Sequence, residues 1–284
     1  MTALDLTAAW PVPSVSGAVI AGGAVADVVG DTNRVQRLAS ISKPIAAWAV
    51  FVALEEGIVT LDQPIGQPDC TLRLLLAHAG GYPFEGSDPI SPPDRTRIYS
   101  NTGFDLACAT VADAAVMPFA EYLQLAVFEP LAMTSSQLIG SPSHGVHSNV
   151  DDLIRFVLEV RTPTLVAPST AELAEHVHSP ALAGIVPGVG RYERCPWGMG
   201  FEVRGDKHPH WTGRTNSART FGHFGGSGTM FWVDPTADVA LIALADRPFD
   251  EWATEALEAW PTLSDAVLDE YRMHATHPSA GTTP

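Results

Sequence analysis

Lysine is nearly absent from this 284-residue chain: Lys43 and Lys207 are the only two, and arginine supplies the rest of the sixteen basic residues. Thirty-two acidic residues stand against them, for a formal charge of -16. A polyanion would meet repulsion over most of such a surface, so nucleic acid and anionic membrane are excluded as partners. Cysteine is scarce as well. Cys70, Cys108 and Cys195 are odd in number and widely spaced, with no Cys-x-x-Cys pair, a pattern of free thiols in a reducing compartment. Long apolar runs are missing: the densest, Pro44 to Leu54, falls well short of the roughly 20 residues that cross a bilayer. The first basic residue is Arg34, so the start of the chain lacks the charged region of a secretion signal, and the expected location is the cytoplasm. The pairs His144 and His147, His176 and His178, and His208 and His210 have no cysteine or carboxylate placed with them as ligands. They read as surface histidines, and neither metal nor cofactor is expected.

What is present is material for a core. With 46% hydrophobic and 17% charged residues, the chain can bury about three quarters of its unfolded surface. Strand patterns open it at Val15 to Ala21, Ala24 to Val29 and Val35 to Leu38, the first two joined at Gly22-Gly23. A helix is expected from Ser40 to a stop at Gly57, with Ile45, Trp48, Ala49, Val52 and Ala53 on one face. Helical patterns dominate the middle: Thr71 to His78, Gly103 to Val116, Pro118 to Phe128, Asn149 to Val160 with Asn149 as N-cap, and Ser169 to His178. Strands return at Trp197 to Val203, Thr220 to Gly225, Thr229 to Val233 and Val239 to Ala245. A last helix runs from Asp250 to about His274 with a break at Pro261, its acidic residues solvated opposite Trp252, Trp260 and Leu268, and a loose tail follows from His277. The order predicts an α+β fold (an α/β sandwich): an antiparallel sheet built from both termini and flanked by helices, with an inserted all-helical domain. The expected division is 1–58 with 190–284 for the sheet domain and 59–189 for the helical one, with the active site between them. Two separate domains split near Gly190 would leave the N-terminal strands with exposed edges.

In so lysine-poor a chain, Lys43 stands three residues after Ser40, at a strand-to-helix junction. That spacing puts amine and hydroxyl on one face. A serine needs a base to become a nucleophile, and an amine desolvated by the apolar helix behind it can serve. A serine N-cap accounts for the same four residues structurally, and Ser42 is a rival nucleophile that points to another side. Two later clusters add weight. Tyr99-Ser100-Asn101 follows a proline- and glycine-rich loop and precedes a helix, so the Tyr99 phenol can project into a cleft. His223-Phe224-Gly225-Gly226 ends a strand where glycine admits a close substrate or marks a bulge.

In this order Ser40-x-x-Lys43, Tyr99-x-Asn101 and His223-x-Gly225 resemble the serine β-lactamase and penicillin-binding protein superfamily, in the branch of class C β-lactamases, D-alanyl-D-alanine carboxypeptidases and related esterases. The stretches Leu74 to Gly81, Tyr99 to Phe104, Glu129 to Met133 and Phe221 to Gly226 are similar to that family's too. The resemblance implies Ser40 as the acylated nucleophile, Lys43 and Tyr99 sharing acid and base duty, and Asn101 orienting Lys43 and the substrate carbonyl. It implies an oxyanion hole from the backbone N–H groups of Ser40 and Gly226, with His223, Phe224 and Gly225 at the third motif on the edge strand. Where β-lactamases of this branch carry Lys-Thr-Gly, the chain has His223-Phe224-Gly225. A constant positive charge gives way to a group charged only in part near neutral pH, and a hydroxyl is lost. The expected function is therefore a serine hydrolase acting through an acyl-enzyme on small carboxylic esters, its partner a small-molecule ester or amide. D-alanyl-D-alanine carboxypeptidase activity, weak β-lactamase activity and a non-catalytic ligand-binding role are the alternatives.

Overall fold

The computed structural model describes residues 2–272; the expected tail from His277 and the last turn toward His274 lie outside them. After a short 3-10 helix at Ala3–Ala9, the chain forms β1 (Val15–Ala21), β2 (Ala24–Val29), β3 (Gln36–Arg37), a 3-10 turn at Ala39–Ile41 and α1 (Ser42–Glu55). The middle holds α2 (Leu72–Leu76), α3 (Asn101–Ala115), α4 (Phe119–Leu123), β4 (Gln137–Leu138), β5 (Val146–Ser148), α5 (Val150–Arg161) and α6 (Pro168–Ala171). Then come β6 (Gly184–Val186), β7 (Gly190–Tyr192), β8 (Glu202–Val203), β9 (Phe221–Gly225), β10 (Thr229–Asp234), β11 (Val239–Ala245) and α7 (Ala253–Tyr271). The expected mixed α+β architecture is the one found.

One six-stranded sheet has the order β2-β1-β11-β10-β9-β8, with antiparallel neighbours throughout. Gly22 and Gly23 both have positive φ (58° and 78°), a conformation cheap for glycine, and they reverse the chain between β1 and β2. Side-chain alternation gives the sheet two apolar faces. Ala18, Ile20, Phe231, Val233 and Ile242 face α1 and α5, whereas Val19, Met230, Trp232, Leu241 and Ala243 face Trp260 and the leucines of α7, with Trp252 just ahead of it. α5 falls within the stretch expected to be a helical insertion, yet it packs on β1 and β11.

Several elements differ from their sequence patterns for identifiable reasons. α1 is buried on every side rather than on one face, while Val52, expected in the core, is only half-buried. An apolar helix of this kind lies between layers and has no solvent face. The expected break at Pro261 does not occur: α7 continues through it. Trp260, Leu263, Val267 and Leu268 are buried on either side of the proline, and their combined burial exceeds the roughly 3 kcal/mol cost of a proline in a helix. The strand expected at Val35 to Leu38 shrinks to β3, which pairs with β5 in a separate three-stranded sheet. Of Trp197 to Val203 only β8 is strand. The helix expected from Ser169 to His178 is reduced to α6 and one 3-10 turn.

Candidate active site

The helix expected to begin at Ser40 instead begins at Ser42, and Ser40 occupies the 3-10 turn ahead of it. Ala39, immediately before it, has φ +49°, a left-handed conformation costly for a residue with a Cβ. The turn is held there by β9 and β10. Thr229 Oγ1 donates to Leu38 O at 2.9 Å, and a Cβ on Gly225 would come within 2.2 Å of the same carbonyl oxygen. Gly225, expected to contact substrate, therefore serves a different purpose: its missing side chain lets the sheet edge lie against the turn that carries Ser40. Gly226 is the glycine that faces the cleft, with open space on its Cβ side. Ser42 is not a competing nucleophile, because its buried hydroxyl donates to Ala39 O at 2.6 Å and accepts from the Val146 amide at 2.9 Å.

Lys43 is completely buried. Its Nζ lies 3.4 Å from Ser40 Oγ and donates to Asn101 Oδ1 at 2.6 Å and to Ser143 O at 3.0 Å. Burial lowers its pKa to about 7 against the pull of Asp105 and Glu85 toward higher values. A neutral amine is thus accessible near neutral pH. Asn101 opens α3, where the Ser100 hydroxyl caps the helix by accepting from the Gly103 amide, and its Nδ2 donates to Glu85 Oε1 at 2.7 Å.

Tyr99 is half-buried and lines the same cleft as Ser40, its ring 4.6 Å from Lys43 Nζ and its hydroxyl 3.4 Å from His223 Nε2. Burial pushes its pKa well up, so the phenol keeps its proton. His223 departs from its expected partial charge. Burial first, and then the nearby Lys43, lower its pKa to about 3, so the imidazole is neutral. Its Nδ1 lies 2.6 Å from Phe224 O. A carbonyl only accepts, so Nδ1 carries the hydrogen and Nε2 offers a lone pair toward Tyr99. Phe224 points to the other face of β9, against Trp211, Phe249 and Trp260, with an edge on the cleft.

Two groups outside the sequence-derived set belong to this neighbourhood. His78 takes the Ile98 amide on its carbonyl at 2.9 Å and the Ser100 amide on Nδ1 at 3.1 Å, with its ring 4.6 Å from that of Tyr99. It therefore grips the chain on both sides of Tyr99, from a backbone at φ +56°. Glu202, on the cleft wall, is buried with Lys207 Nζ at 2.6 Å, His210 Nε2 at 3.0 Å and Trp211 Nε1 at 2.7 Å. Burial alone would raise the Glu202 carboxyl, but Lys207 and His210 overcome it and hold it well below the usual range. His210 is thus not the surface residue its spacing suggested, although His176 and His208 are exposed. No cluster among the described residues is arranged to hold a metal ion, and no single described helix is long and apolar enough to cross a membrane.

The cleft over Ser40 has a volume of about 410 Å³, with Phe84, Tyr99, Trp197, Phe224 and Phe249 in its walls. Its carboxylates are Glu202 and Asp250, and among the described residues neither lysine nor arginine lines it.

Comparison with known proteins places these groups in context. A family model described as Beta-lactamase matches residues 7–261. The structure of a beta-lactamase from Mycobacterium bovis is 45% identical, with a TM-score of 0.92 over 95% of this chain and 100% of that one. A penicillin-binding protein of Bacillus subtilis (strain 168) is 25% identical over 182 residues, 51% of this chain, and the chain spans only 40% of that relative's length. EstCE1, a hydrolase with promiscuous acyltransferase activity, is 18% identical and shares the fold, with a TM-score of 0.75 over 94% of this chain and 95% of its own.

Proposed function

The chain belongs to the beta-lactamase family, and on that premise we propose that it is a serine hydrolase that cleaves small carboxylic esters through an acyl-serine intermediate. One observation carries the reading: a fully buried amine with its pKa lowered to about 7 lies 3.4 Å from the Ser40 hydroxyl. In this mechanism Lys43 takes the Ser40 proton as Oγ attacks the ester carbonyl. The oxyanion forms against the backbone N–H groups of Ser40 and Gly226. Tyr99, which keeps its proton, hands it to the departing alkoxide and is reloaded from Lys43. Water then attacks the acyl-serine by the same route in reverse. Asn101 fixes the amine, and neutral His223 accepts from Tyr99 between transfers.

The walls of the cleft favour esters over β-lactams and peptide C-termini. Those substrates carry a carboxylate close to the scissile carbonyl, and here that carboxylate would face Asp250 with no cation on the cleft wall to hold it, Glu202 being already paired with Lys207. A neutral ester loses nothing by this. The test is hydrolysis of 4-nitrophenyl butyrate by the parent protein and by Ser40→Ala, alongside intact-mass analysis after a fluorophosphonate probe. One adduct on Ser40 and loss of turnover in the variant are expected. Equal rates for the two proteins would overturn the assignment.

A further inference from the structure

The cleft over Ser40 is not the only cavity beside Tyr99. A groove of about 450 Å³ adjoins it and shares Phe84, Tyr99 and Pro187 as common wall. Its far side is the β6–β7 hairpin. That hairpin is fixed in place: Gly184 bridges to Arg97, and a Cβ on Gly184 would come within 2.6 Å of Arg97 Cβ. Ile185 and Arg191 are cross-strand partners, so they project to the same side of the hairpin, and both line the groove. Phe84 and Ile185 leave about half of their surface uncovered, at 51% and 53%.

Two arginines line this groove, and only one is available. Arg97 is buried, and its guanidinium is spent on the carbonyls of Ala77, His178, Ser179 and Cys195. Arg191 is exposed, and its guanidinium has no hydrogen bond or ion pair with any described residue. Among the described residues no carboxylate lines the groove. The two adjoining cavities therefore differ in charge: the one over Ser40 holds the exposed Asp250 carboxylate beside a Glu202 already paired with Lys207, and the outer one holds a free guanidinium at the end of an apolar floor.

We infer that the outer groove is a second substrate subsite, shaped for an aliphatic chain that ends in a carboxylate several bonds away from the ester. The inference rests on the ester-hydrolase reading and names its substrate class: amphiphilic esters with a remote anionic end. An anion beside the scissile carbonyl meets Asp250 and finds no cation. An anion carried past Tyr99 on an apolar chain reaches Arg191, which can bind a carboxylate with two parallel hydrogen bonds.

The experiment compares kcat/KM for the mono-4-nitrophenyl ester of suberic acid with that for 4-nitrophenyl octanoate, which differ only in the terminal carboxylate. A second pair, the butyrate esters of 8-hydroxyoctanoic acid and of octanol, places the anion on the alcohol half and is followed by pH-stat titration. The parent protein is expected to prefer the anionic member of at least one pair. Arg191→Ala should lower that preference about twofold to fivefold, the range of an exposed ion pair, and Arg191→Glu should invert it. Arg155→Ala, which removes an exposed arginine of α5 that lines neither cavity, should leave the preference unchanged. The preference should also shrink as salt is raised. An anionic-to-neutral ratio that Arg191 substitutions do not move in either pair overturns the inference, even with rapid Ser40-dependent hydrolysis of the neutral esters. Absence of Ser40-dependent turnover on all four esters would instead overturn the underlying reading.

Discussion

The two lysines occupy matching situations and have opposite fates. Lys43 and Lys207 are both sealed from water beside the same cleft, one behind Ser40 and the other behind its Glu202 wall. Lys207 meets a carboxylate oxygen at 2.6 Å. Lys43 meets only neutral acceptors, an amide oxygen, a carbonyl and a serine hydroxyl, with Asp105 and Glu85 acting from further off. Burial alone therefore does not make a base. Whether the buried amine is given a formal counter-charge decides between an ion pair that holds the wall and an amine whose proton can leave at neutral pH.

The comparison is tested most severely by Lys43→Arg. It keeps a cation in the same place but removes a proton that can be given up. Ester turnover is expected to fall by about a thousandfold, within the usual range for loss of a general base, with the change in kcat rather than KM. Lys207→Met is next and shows the reverse profile. Stranding the buried Glu202 carboxylate should cost about 3–5 kcal/mol of stability, read from denaturant unfolding, and pairing the change with Glu202→Gln should restore most of it.

A pH profile separates the lysines more finely. In the parent protein kcat/KM for a neutral ester should climb with pH through about 7 as Lys43 sheds its proton. Stability should respond in the same direction. Between about 7 and the ordinary lysine value of 10.5 the unfolded chain binds a proton at Lys43 that the folded chain does not. Stability therefore rises with pH through that window, and this increment should vanish in Lys43→Met. The smallest effect is at His78, a positioning residue. His78→Ala, which loses the acceptor for Ser100 and strains the left-handed backbone, should lower kcat about tenfold through Tyr99. His78→Asn keeps an acceptor and tolerates positive φ, so it should recover much of that loss.

Much of this arrangement was legible beforehand. The sheet made from both ends of the chain follows from where the alternating patterns lie, and Asn149 caps α5 by accepting from the Asp152 amide as its type suggests. Ser40, Lys43, Tyr99, Asn101 and His223 come together because two of them share a turn and the others flank α3 and β9. What stayed hidden depends on distance through space. Glu202, Lys207 and His210 lie on a two-residue strand and the loop after it, with no period to mark them as inward-facing. His78 stood in a stretch whose overall resemblance was visible, but its grip on Tyr99 needs the chain to return twenty residues later. Gly225 could be read as an opening for substrate, because only the fold brings Leu38 against it. The charge of His223 was misjudged because composition does not reveal how completely a residue is enclosed.

The pairing of Val15 with Ala245 carries a consequence for how the molecule is made. β1 leaves the ribosome about 220 residues before its partner β11, the last strand among the described residues, and β10 and β9 dock beyond β11. Until then β1, paired with β2 on one side, has its other edge open, and the Ser40 turn has no surface on which to rest. The helical stretches between them have closer partners and can form sooner. Assembly of the nucleophile is thus deferred until β9 to β11 have been made, and a truncated product that stops short of β9 is inert however well its helices have folded.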